Sequence, residues 1–249
     1  MEKPSARRQE ARWLEVQEAA LLLGSARTFK PKRKDTALPF VYPLMATFLL
    51  TGGRESEVLG LEVEDISFDR KTITFRPNQW RRLKTSTSHR TVPLWPQLEA
   101  ILRQYVYGGA TPRVSGLLFP PTRPARGKDG ERRSCKPRMV TDCRKAIDAI
   151  AGGAGWKAGD VRTKAFRHTY CAARLQTLDR GAPVSVYTVG RELGHGGDSL
   201  VKRVYGHLGD VRQRLEVVEY NADRAGRSIA DARIRQAYRN RLSAVRAVG

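Results

Sequence analysis

Residues 191–207 read RELGHGGDSLVKRVYGH. The stretch sets an imidazole, His195, ahead of a tyrosine, Tyr205, across a short link that contains glycine. A phenol becomes a useful nucleophile towards phosphorus only where cations stabilise its phenolate and the charge that grows on the phosphoryl oxygens. If Tyr205 has that task, fixed cations must stand upstream.

Two arginines suit it. Arg54 in LLTGGRESEVLGL and Arg167 in KAFRHTYCAARL each open an apolar periodic run that reads as a helix. A guanidinium at a helix start gains nothing from the macrodipole, so its place there points to an anion that it faces. Between them Lys84 lies in RRLKTSTSHRTVPL, on a hairpin-like turn that could dip towards DNA. In the order Arg54, Lys84, KxxR (Lys164 to Arg167), LGH and Tyr205, the chain resembles the catalytic domain of the tyrosine recombinases, the phage integrase family. The likeness runs from about Trp13 to about His207, and its specificity comes from the ordered set: RHT with LGH and a following YxH.

That resemblance implies a mainly α fold with a small antiparallel three-stranded sheet, the DNA breaking-rejoining fold. It implies that Tyr205 attacks a DNA phosphodiester to give a 3′-phosphotyrosyl bond. Arg54, Arg167, His195 and Lys164 then stabilise the transition state, and Lys84 protonates the leaving deoxyribose oxygen. Lys164 stands where the commonest family pattern has histidine; related type IB topoisomerases also accept lysine there, so a phosphate-binding cation is kept and a titratable base is lost. Behind these groups, Glu57, one turn after Arg54, orients its guanidinium or is an ordinary surface glutamate, and His168 matches the family's structural histidine. Tyr187, read as lying on a core face, and Tyr220, with no flanking YxH, are poor rival nucleophiles. Side-chain cations do here what metals do in other phosphoryl transfers, so neither a metal nor a nucleotide cofactor is expected.

Composition agrees with a polyanionic partner. The 249 residues hold 46 Lys plus Arg against 25 Asp plus Glu, a formal net charge of +21, and the cations cluster. Arg81, Arg82 and Arg90 on the hairpin, and Arg132 and Arg133 in the Pro/Gly-rich interval 108–137, are candidate contacts to the backbone of double-stranded DNA, which position a protein without specifying sequence. Three cysteines without CxxC spacing suggest neither a disulfide framework nor zinc. The longest apolar stretch, ALPFVYPLMATFLL, carries two prolines and is too short for a bilayer, and no signal-peptide core stands at the N-terminus. A cytoplasmic, nucleoid-associated protein of a prokaryotic or phage host cell is expected.

Periodicity divides the chain into a flexible stretch 1–12, a catalytic domain 13–220 and a basic helical tail 221–249. Helices are expected from Trp13, from a cap at Thr36 to Leu50, after Arg54, over Pro96–Tyr107, over DCRKAIDAI with Thr141 as cap, over the RHT segment with Tyr170, Ala173 and Leu178 in the core, from Pro183 or Ser185 to Leu193, and around Val211–Tyr220. From Val63 to Pro93 the period changes to that of three antiparallel strands. The tail's Ile234, Tyr238, Leu242 and Val245 make an apolar stripe beside seven arginines, which docks on its own domain or on a neighbouring subunit. The resemblance implies a site-specific recombinase or integrase, assembled as a homo-tetramer on paired DNA sites. A type IB topoisomerase-like nicking and religating enzyme, and a basic DNA-binding module without activity, are the alternatives. The family also leads one to expect a smaller helical DNA-clamping domain ahead of this one, either preceding the given sequence or supplied otherwise.

Overall fold

The computed structural model describes residues 13–30, 40–83, 85–109, 113–121, 139–196, 199, 201–202 and 217–220. The architecture follows from one wholly apolar helix. In α2 (Val41–Thr51, VYPLMATFLLT) ten of the eleven residues are buried, the pattern of a helix enclosed on every side. Its two threonine hydroxyls need no outside partner, since Thr47 and Thr51 donate to the carbonyls of Pro43 and Thr47, one turn back. Around it pack α1 (Val16–Thr28), α4 (Pro96–Tyr107) and α6 (Thr163–Leu175), while α5 (Arg144–Gly153) lies against α1.

What stops α2 builds the site. Gly52 takes the left-handed conformation (φ 61°) and its N–H closes on the Phe48 carbonyl at 3.1 Å, a glycine-terminated helix end. A Cβ at Gly52 would come within 2.7 Å of the Tyr170 ring on α6 and 2.9 Å of Leu193. At Gly53 it would come within 2.6 Å of Val58. The chain therefore turns tightly enough to start α3 (Glu55–Leu59) at once, with Arg54 as its N-cap residue.

The three-stranded sheet is present as β1 (Ile66–Ser67), β2 (Thr72–Phe75) and β3 (Arg90–Pro93), antiparallel and in that order. Register pairs Phe75 with Arg90 and Ile73 with Val92, so these four share the inward face, as alternation requires. The LLFP segment runs back beside the α3 end, Leu118 N–H meeting the Leu61 carbonyl at 2.7 Å.

Four local expectations are corrected. The RHT helix ends at Leu175, and Leu178 lies instead in β4 (Leu178–Asp179), paired with β5 (Ala182–Pro183). The turn between them holds Arg180 (φ 51°) and Gly181 (φ 81°), two successive positive angles that suit a two-residue hairpin. Thr141 does not cap α5: Cys143 is the N-cap residue without a side-chain bond, and the nearby Asp142 carboxylate accepts from Arg144 N–H at 2.8 Å. Tyr187 is 58% exposed, not core, because the last helix, α7 (Val186–Glu192), turns Val189 inward and Tyr187 outward. Residues 217–220 are not helical; the Tyr220 backbone instead pairs with the Gln97 side chain and its ring is buried. The Thr36 cap, the stretch 1–12 and the tail lie outside the described residues.

Candidate functional site

Arg167, on the second turn of α6, is the centre of the site. One guanidinium nitrogen, Nη1, donates to the Gly52 carbonyl at 2.8 Å; the other, Nη2, donates to the Leu193 carbonyl and meets His195 Nε2 at 3.0 Å. The end of α2, the end of α7 and α6 thus converge on a single side chain. Arginine can only donate, so His195 Nε2 accepts and the neutral ring carries its proton on Nδ1. That Nδ1 is buried without a hydrogen-bond partner among the described residues.

His195 is placed by the way α7 stops. Gly194 is left-handed (φ 68°), its N–H bonds the Arg191 carbonyl and the His195 N–H bonds the Gly190 carbonyl, both at 2.9 Å. This pair of bonds is the Schellman arrangement, and the residue after its glycine is fixed by backbone alone.

Arg54 enters from α3. Its Nη1 donates to Glu57 Oε1 at 2.7 Å and to Ser88 Oγ at 3.2 Å, while Glu57 Oε2 accepts the Arg54 backbone N–H at 2.8 Å. Glu57 is 3% exposed, so it is not a surface glutamate, and both of its oxygens accept from Arg54. Burial pushes its carboxyl up, but the hydrogen bond and charge of Arg90, then the bonds from Arg54, outweigh this and hold it at about 2.

The electrostatics of the site are those of cations crowded together. Burial, then the charges of Arg54 and Arg90, lower Arg167 to about 9, still charged at neutral pH. Burial, then Arg167, Arg54 and Arg90, lower His195 from its ordinary 6.5 to about 4. His168, half-buried beside them on α6, is likewise brought to about 4 by burial, then by Lys164 and Arg167. Lys164 is exposed one turn before Arg167, so i,i+3 spacing sets both cations on one side of the helix.

Two of the expected DNA contacts face inward. Arg90 is 7% exposed and its guanidinium is spent on protein: Nη2 to Glu57 Oε2 at 2.8 Å, Nη1 to the Ser88 carbonyl at 2.9 Å, Nε to the Glu192 carbonyl at 2.6 Å, with the Phe75 ring 4.4 Å away. Its position on β3, two residues from Val92, gives it core parity, a signal that alternation carries. Arg81 is 5% exposed, lies against the Gly60 backbone, and none of its three guanidinium nitrogens has a hydrogen-bond partner among the described residues. Only Arg82 of the three hairpin arginines is exposed. Lys84, Arg132, Arg133 and Tyr205 lie outside the described residues.

Sequence reading missed a second buried polar group. Glu192 accepts from Tyr170 Oη at 2.7 Å and from Arg174 Nε and Nη2 at 3.1 Å, all three residues being buried. It locks α6 to α7, the two helices that carry Arg167 and lead to His195. Nothing in a single glutamate at the last position of a helix announces this.

The phage integrase family model matches residues 12–212. The chain belongs to the phage integrase family, the tyrosine recombinases. Solved tyrosine recombinases share its fold. XerA recombinase is 19% identical, with a TM-score of 0.57 over 84% of this chain and 63% of that one. The Tn1549 transposon integrase in complex with circular intermediate DNA is 17% identical, with 0.55 over 90% and 68%. XerH site-specific recombinase bound to difH is 20% identical, with 0.54 over 80% and 51%. The chain thus spans about half to two thirds of the length of these integrase-family structures. A comparison with curated protein sequences found no match. Among the described residues of this family member, no helix is long and apolar enough to cross a membrane.

Proposed function

We propose that the protein cuts and rejoins double-stranded DNA at specific sites, as a recombinase or integrase that works through a 3′-phosphotyrosyl intermediate. The observation that carries this reading is the electrostatic state of the site. Arg54, Arg167 and His195 come from three distant parts of the sequence, and burial, then the neighbouring cations, make Arg167 and His195 less basic. Such a cluster is incomplete until an anion enters, and a phosphodiester supplies one. A phosphate oxygen then replaces His195 as an acceptor for the Arg167 guanidinium, and the imidazole, taking a proton from solvent at Nε2, turns from acceptor to donor.

In the cleavage step the phenolic oxygen of Tyr205 bonds to phosphorus and gives up its proton to solvent. The bond from phosphorus to the 5′ oxygen breaks, and Lys84 supplies a proton to that oxygen. Arg54, Arg167, His195 and Lys164 hold the non-bridging oxygens as their charge grows. Rejoining runs in reverse, with a 5′-hydroxyl attacking and Tyr205 leaving, so the phosphodiester's energy is conserved and no ATP is needed. Arg82, Arg132 and Arg133 follow the DNA backbone. The protein acts as a homo-tetramer on paired sites in the nucleoid.

The test is covalent capture. The protein is incubated with sheared genomic DNA of its source, denatured, and the DNA that stays attached is sequenced. Recurrent ends at one motif are expected from the wild type, and none from Tyr205→Phe, whose duplex affinity is nearly unchanged. Affinity falls roughly a thousandfold between low and moderate salt if six or more phosphates are neutralised. An adduct that survives Tyr205→Phe sinks the assignment of the nucleophile. Adducts that form without recombination of paired sites turn the reading into a nicking and religating enzyme.

A further inference from the structure

We infer that Arg90, an inward-facing arginine on β3, is a positioning residue of strand transfer, which sets the phosphate-binding Arg54 and the segment leading to His195 in one register. The inference rests on the function proposed above.

The argument is in the division of its donors. Arg54 Nη1 has two acceptors, Glu57 Oε1 and Ser88 Oγ. Arg90 holds both of those residues by their other atoms: Nη2 takes Glu57 Oε2, and Nη1 takes the Ser88 carbonyl. Its third donor, Nε, takes the Glu192 carbonyl, three residues before His195. Gly194 also fits against it, since a Cβ there would stand 3.1 Å from Arg90 Nη1. One planar fork therefore fixes α3, the turn before β3 and the end of α7 at once. With only 4% of its side chain exposed, Arg90 cannot be a DNA contact, and its guanidinium carbon sits over the Phe75 ring, 4.4 Å from the centroid. Lysine has one ammonium nitrogen and cannot reproduce three divergent bonds.

Glu57 is where the role can be read. Facing it are Arg54 from its own helix and Arg90 from β3, in direct contact, and Arg81 and Arg167 through space. Without Arg90, burial is opposed by Arg54 alone at contact distance, and the carboxyl takes a proton at higher pH. The cleavage rate then acquires an acid limb that the wild type lacks in the same range.

The experiment compares wild type, Arg90→Met, Arg90→Lys, Glu57→Gln and the Arg90→Met/Glu57→Gln double variant on the captured DNA motif. It reads duplex affinity, urea midpoint and single-turnover adduct formation from pH 5 to 9. Expected are affinity within about twofold of wild type and adduct formation slower by on the order of 100-fold in Arg90→Met, as for misplacement of a group remote from the reacting atoms. Arg90→Lys falls between, the acid limb moves up in Arg90→Met, and the double variant is no slower than the slower single one. Should Arg90→Met fail to fold, Arg90→Lys and the double variant, which removes both members of the buried Arg90–Glu57 pair, carry the same comparison. A folded Arg90→Met with wild-type rate and pH profile overturns the assignment, as do losses that multiply in the double variant. A wild type that forms no adduct overturns the recombinase reading and this assignment together, whereas a wild type that cleaves beside an Arg90→Met that matches it overturns the assignment alone.

Discussion

Gly52→Ala attacks the turn on which the site is built, and its cost can be worked from the coordinates. The φ of 61° puts an alanine in the left-handed region, at roughly 1–2 kcal/mol. The added methyl meets the Tyr170 ring at 2.7 Å and Leu193 at 2.9 Å; neither is the loose end of a flexible chain, and overpacking of this kind costs typically 1–3 kcal/mol. Together about 2–5 kcal/mol is lost, a fall in Tm on the order of 10 °C for a domain of this size. The same shift moves the Gly52 carbonyl that anchors Arg167 Nη1. Urea unfolding followed by circular dichroism gives the first quantity, and the rate of adduct formation by the residual folded protein gives the second. A loss under about 0.5 kcal/mol would refute the account of the turn. A full loss of stability with an unchanged cleavage rate would refute its link to Arg167.

Acid should weaken the fold in two stages. His168 and His195 sit at about 4 against an ordinary 6.5, so the unfolded chain binds protons first and stability falls as pH drops from 6.5 towards 4, by on the order of 1 kcal/mol per half-buried ring. Glu57, at about 2 against 4.5, stabilises above 4.5 and loses this contribution between 4.5 and 2; a urea midpoint constant from pH 7 to 5 contradicts the first stage. Lys164→His should retain substantial cleavage, and Lys164→Ala should lose on the order of tenfold or more, as for one transition-state donor, with unchanged cleavage by the alanine variant removing Lys164 from the site. A chain ending at Tyr220 should fold and bind single sites, while one ending at Glu216 loses a buried tyrosine, at about 3–5 kcal/mol by analogy with large-to-small core changes; equal urea midpoints for the two would show that the ring contributes nothing.

Much of this was legible in the sequence because the relevant signals are local. The α2 stop at Thr51, Gly52 and Gly53, the helix Pro96–Tyr107 and the three strands all follow from turn residues and period. So does the placing of Arg54 at the mouth of α3. Arg90 shows where reading by charge fails. Among RRLKTSTSHR it looks like one more cation for DNA, yet its parity with Val92 turns it inward, and only the tertiary structure reveals that Glu57, Ser88 and Glu192 converge there. Arg81 misleads in the same way. The Tyr170, Arg174 and Glu192 cluster was illegible for a different reason: its members are 4 and 18 residues apart and meet only because α6 and α7 pack together. Leu178 was assigned to a helix because its apolar spacing continues that of α6, while the Arg180 and Gly181 turn that redirects the chain is two residues long and easily passed over.

Tyr220 gives the end of the described chain a mechanical meaning. Its ring is 1% exposed, its backbone is clasped from both sides by the Gln97 side chain at the start of α4, and its hydroxyl reaches towards the Leu49 carbonyl at 3.5 Å. A pull on the chain from beyond residue 220 is therefore grounded in α4 and α2 before it can reach the segment that holds Tyr205. Traction by the tail would load the same helix whose end carries Gly52, so a neighbour that grips the tail would act on the arginine side of the site and not directly on the nucleophile.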